Sequence, residues 1–83
     1  MTRDEFSELS LNEKIGIVIE SGTEVLNRVY LLNIVRLYSV GDFYAEIWYK
    51  TTTNKIERCE VVEMDEVFHL YEKSIDIKDL FKN

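Results

Sequence analysis

Ile34–Val40, Gly41-Asp42 and Phe43–Tyr49 constrain the fold most: two β-branched and aromatic runs joined by two residues, one of them glycine. Glycine supplies the positive φ that a tight hairpin turn demands, so the runs are expected to fold back as antiparallel strands. Side chains alternate across a sheet, and a two-residue turn therefore fixes the register. Val40 falls opposite Phe43, Tyr38 opposite Ala45, Arg36 opposite Ile47 and Ile34 opposite Tyr49. One face then carries Ile34, Tyr38, Val40, Phe43, Ala45, Ile47 and Tyr49. The other carries Val35, Leu37, Tyr44, Glu46 and Trp48.

A second turn is expected at Thr51-Thr52-Thr53-Asn54, leading into a strand over Lys55–Val62. Residues 23–32 fit either period: Val25, Val29 and Leu32 suit a helix, and Leu26, Tyr30 and Leu32 suit a strand. A strand is favoured, because Gly22-Thr23 reads as a break. Upstream, Thr2-Arg3-Asp4-Glu5 and Ser10-Leu11-Asn12-Glu13 both match the capping box. They predict a short helix over residues 3–8 and another starting at Leu11. The second helix bears a stripe of Leu11, Ile15, Val18 and Ile19, with Gly22 ending it in the left-handed conformation. Downstream, Met64, Val67, Phe68 and Tyr71 form an i, i+3, i+4, i+7 stripe, and Asp76 is placed to cap a last turn carrying Leu80 and Phe81. Runs of helix and strand that do not alternate define an α+β fold with N-terminal helices, a three- or four-stranded antiparallel meander and a C-terminal helix.

The 83 residues amount to one domain, 1–83. Ten basic groups face 16 acidic ones, a net charge of −6, which disfavours nucleic acid as a partner because affinity for phosphate comes from Lys and Arg. Each half of the chain contributes −3, so no charged tail stands out. No apolar run reaches the roughly 18 residues of a membrane span, and no basic-then-apolar leader is present. A cytoplasmic location without membrane contact is therefore expected. One cysteine excludes an internal disulfide framework.

Candidate chemistry is sparse. His69 has Asp65 and Glu72 at helical spacing, but a catalytic zinc site usually takes more nitrogen or sulfur ligands, so no metal and no cofactor are expected. Cys59, between Arg58 and Glu60, reads as a half-buried structural thiol rather than a nucleophile. Glu46 lies among Leu37, Tyr44 and Trp48, surroundings that raise a carboxyl pKa. With a four-residue second turn, Cys59 falls opposite Glu46, and Arg36 and Arg58 flank Ile47 on one face as a possible anion grip. No phosphate loop, GxSxG or HExxH is present, and no catalytic residue is assigned.

The second face is too apolar to meet water alone. Either the chain's own helix covers it, or it is a contact patch for another molecule. The leading expectation is a non-catalytic interaction module that binds a protein partner or a second copy, as a homodimer, through Leu37, Tyr44, Glu46 and Trp48. Two alternatives stay open: an acidic inhibitor of the immunity type that blocks a basic partner, and a small-ligand binder or enzyme using Glu46, Cys59 or His69.

The run from Leu37 to Tyr49, followed by Asn54-Lys55-Ile56, resembles small uncharacterised bacterial proteins of Bacteroidetes type. These share an LY…FY-x-E-(V/I)-x-Y hairpin after an S-x-x-E-K helix, matched here by Ser10 to Lys14. The resemblance covers most of residues 10–60 and implies a cytoplasmic α+β domain. It carries over no site residue.

Overall fold

In a computed structural model that describes residues 1–72, two short helices precede a four-stranded antiparallel sheet, and a third helix follows it. Helices α1 (Arg3–Ser7) and α2 (Leu11–Ser21) both begin with the capping boxes read from the sequence. Thr2 Oγ1 accepts from the Glu5 N–H at 3.1 Å, and Ser10 Oγ accepts from the Glu13 N–H at 3.2 Å. The Glu5 and Glu13 carboxylates accept in return from the cap N–H groups, which lowers the pKa of each. Gly22 ends α2 in extended rather than left-handed backbone, at φ −93°. Glycine is needed there for close approach: a Cβ would stand 2.6 Å from the Val18 carbonyl oxygen.

The sheet is a meander in the order β1 (Thr23–Tyr30), β2 (Asn33–Val40), β3 (Phe43–Lys50) and β4 (Lys55–Val62). Residues 23–30 are thus strand, as favoured. The β2–β3 register is the expected one throughout, and Gly41 takes the turn at φ +58°. The register to β4 differs. Trp48 pairs with Arg58 and Tyr49 with Ile56, so Glu57 is an extra, bulged residue. That single insertion moves Cys59 opposite Ile47 instead of Glu46, and leaves Glu60 opposite Glu46. It also turns Arg58 to the face opposite Arg36, so the expected anion grip does not form.

Each face has its own core. Phe6 and Val18 pack with Val40, Phe43, Ala45, Ile47 and Cys59 on the face covered by α1 and α2. The Phe6 and Phe43 rings lie 5.1 Å apart. On the other face, Val35 and Leu37 pack with Tyr71 of α3 (Met64–Tyr71), and Leu26, Tyr44, Trp48, Val62, Met64 and Val67 close around them. The chain therefore makes three layers, the self-covered arrangement. The Asp76 cap and the turn with Leu80 and Phe81 lie outside the described residues.

Helix faces differ from the sequence stripes in one respect that matters below. Val18 is fully buried and Ile15 and Ile17 are half-buried, whereas Ile19 is 68% exposed. On α3, Phe68 is likewise exposed while Tyr71 is buried.

Candidate functional site

Alternation places Leu26, Arg28 and Tyr30 of β1 beside Val35, Leu37, Glu46 and Trp48 on the face under α3. Arg28 is thereby carried into the interior, where Glu46 is its carboxylate partner among the described residues. Arg28 Nη2 stands 3.5 Å from Glu46 Oε2, and the Tyr71 hydroxyl donates to that same oxygen at 2.6 Å. Both charged residues are buried, Arg28 at 8% and Glu46 at 4% exposure. Burial, and then the bond to Glu46, push the Tyr71 phenol above its ordinary value. Three rings surround the guanidinium: Trp48 at 5.1 Å, Tyr71 at 5.2 Å and Tyr30 at 6.0 Å from its carbon. Arg58 stands closer still over Trp48, at 4.0 Å, and the Tyr30 ring meets the indole edge-on.

This arrangement decides what the face can do. Leu37 and Glu46, expected in an open contact patch, are closed off beneath α3, and Tyr44 and Trp48 are half-buried at its margin. A carboxylate that accepts from Tyr71 and neutralises Arg28 in the interior has no access to a substrate. The cluster is a polar tie between β1, β3 and α3. Arg28 was missed from the sequence because it stands in the segment with ambiguous period. Its parity with Leu26 and Tyr30 was the available signal.

The remaining titratable candidates are separated. Cys59 is buried on the face under α1 and α2, and burial pushes its thiol up to about 11, so it is protonated at neutral pH. His69 is exposed on α3, on the other side of the sheet. Among the described residues no three His, Cys, Asp or Glu groups come together as a ligand set, and no helix is long and apolar enough to cross a membrane.

The uncovered apolar surface lies elsewhere. Ile19, Ile34, Tyr38, Ile47, Tyr49 and Ile56 line an open groove of about 190 Å³ with Arg36 at its rim. Arg36 is paired with Glu24 at 2.9 Å. Val29, the cross-strand neighbour of Ile34, is 75% exposed, and the β1–β2 turn that follows presents Leu31 at 78% and Leu32 at 56%. Leu31 adopts φ 55°, a conformation that costs a branched side chain about 1 kcal/mol or more and that turns usually assign to Gly or Asn. The turn is nonetheless held: the Thr51 N–H and hydroxyl both donate to the Leu32 carbonyl at 2.9 Å. Comparison with family models, curated proteins and solved structures finds no match for the chain.

Proposed function

We propose that this chain is a non-catalytic, cytoplasmic protein-interaction module, and that its contact surface is the β1 edge with the Leu31-Leu32 turn and Ile19 rather than the aromatic face under α3. The observation that carries this is the leucine turn. Two leucines occupy a turn for which they are poorly suited, one of them in strained backbone, and both face water. Such an outlier persists where the surrounding structure enforces it, and strained, exposed apolar positions cluster at functional surfaces. Val29, Ile34 and Ile19 extend the same surface into the groove.

The buried Arg28–Glu46–Tyr71 tie supports the reading by fixing β1 against α3, so the edge is presented on a rigid frame. Immobilised chain tests the proposal when compared with a Val29→Lys form, since Val29 is exposed and its replacement leaves both cores intact. A protein retained by the natural chain and lost with Val29→Lys is the expected result. Equal retention by both forms overturns the choice of surface.

A further inference from the structure

We propose that α3 is a detachable cover: it swings away from the sheet about Glu63 while α1, α2 and the four strands stay folded, with the Tyr71–Glu46 hydrogen bond as its latch. The two cores are separate enough to allow this. The cluster under α1 and α2 and the cluster under α3 share no residue, buried or partly buried, and the sheet lies between them. Lifting α3 therefore dismantles the second cluster and leaves the first whole.

The helix is held at its two ends and lightly between them. Glu63, the one residue between β4 and α3, is extended at φ −94° and gives α3 no side-chain cap, whereas α1 and α2 each begin with a capping box. Its carboxylate pairs with Arg3 instead, and because both side chains are about half exposed this pair contributes little. At the far end Tyr71 is fully buried and donates to Glu46 at 2.6 Å. Met64 and Val67 are only half-buried, and Phe68 and Leu70 are exposed. Two turns of helix are marginal without tertiary support.

The polar groups beneath α3 are imperfectly satisfied. Arg28 Nε and Trp48 Nε1 are buried with no hydrogen-bond partner among the described residues, and Arg28 Nη2 meets Glu46 Oε2 only at 3.5 Å, the outer limit of a hydrogen bond. A donor held away from water costs free energy that is recovered when water reaches it. That gain offsets part of the exposure of Val35, Leu37 and Tyr71, all fully buried while α3 is in place. Opening uncovers Leu37, Glu46 and Trp48. It leaves the leucine turn as it is, since Thr51 holds Leu32 there.

Thiol labelling of the folded full chain, read site by site from peptide masses, tests the proposal. Val35→Cys places a thiol under α3, and the natural Cys59, buried under α1 and α2, is the reference in the same molecule. Position 35 is expected to be labelled roughly tenfold faster than Cys59 or more, because it needs only the local opening. Adding Phe6→Leu weakens the first core equally in the closed and open forms. It should therefore speed labelling of Cys59 and leave position 35 unchanged. Adding Tyr71→Phe should speed position 35 by about ten- to hundredfold, the loss of a hydrogen bond to a charged acceptor. Equal rates at the two sites, or a response of position 35 to Phe6→Leu, overturns the cover, and no response to Tyr71→Phe overturns the latch. Should Val35→Cys not fold, amide hydrogen exchange of the natural chain in rising urea decides instead. Faster exchange and a shallower urea dependence for α3 than for β2 and β3 support the proposal, and one common rate and slope overturns it.

Discussion

The Tyr71 hydroxyl reaches Glu46 Oε2 over 2.6 Å, joining the last turn of α3 to the middle of β3 across the buried face. A hydrogen bond to an ionised, buried acceptor is worth about 1.5–3 kcal/mol. Tyr71→Phe keeps the ring beside Arg28 and removes only that bond, so urea denaturation should show a loss within this range. Glu46→Ala should cost more, about 3–5 kcal/mol, because it leaves Arg28 buried without a counter-charge.

Cys59 and Tyr71 predict a specific alkaline weakness. Each releases its proton at a higher pH folded than unfolded, where the ordinary values are 9.0 and 10.0. The folded state therefore holds these protons more tightly, so the stability they contribute is complete below pH 9 and drains away as pH rises past it. For Cys59 the loss runs from 9.0 to about 11 and is on the order of 2 kcal/mol. Guanidinium titrations at intervals across that window should fall steeply for the natural chain and less steeply for Cys59→Ala.

Trp48 and Val29 should respond in opposite ways. Trp48→Ala removes the ring under Arg58 and Arg28 and opens the margin of the α3 face, at a cost of about 2–4 kcal/mol. Its sedimenting mass should match that of the natural chain under folding conditions. Val29→Lys should leave the urea midpoint of the monomer within about 0.5 kcal/mol of its starting point, because the side chain is exposed.

Leu31→Asn should stabilise the monomer. Asparagine tolerates the left-handed conformation that Leu31 holds at φ 55°, and relief of that strain is worth about 0.5–1 kcal/mol. Thermal melts at low protein concentration should show the gain. A gain in stability coupled to weaker retention of a protein partner would mean that the leucine is retained for contact and not for folding.

The β2–β3 hairpin was legible because turn chemistry and alternation agreed: Gly41 set the turn, and every pair from Ile34–Tyr49 to Val40–Phe43 followed. The β1–β2 hairpin was not, since Leu31-Leu32 lacks the Gly or Asn that announces a two-residue turn, and residues 23–32 therefore fitted two periods. The bulge at Glu57 leaves no mark in composition, yet it alone displaced Cys59 and Arg58 from their expected partners. Among the site residues, the sequence correctly grouped Leu37, Tyr44, Glu46 and Trp48 on one face. Whether α3 or water covered that face depends on tertiary packing that no local pattern records. Ile19 illustrates the same limit: it belongs to the same expected helix stripe as Val18, but α2 is rolled so that Val18 points inward and Ile19 faces out.

The lid over the charged interior is α3, the last of the described elements to leave the ribosome. A chain stopped before Met64 would hold its meander and N-terminal helices but present Arg28, Glu46 and Trp48 to the surroundings, an ion pair and an indole on a bare apolar slab. Incomplete products of this gene should therefore be sticky and short-lived, and proteases and chaperones would meet them as damaged goods before they could compete with finished molecules.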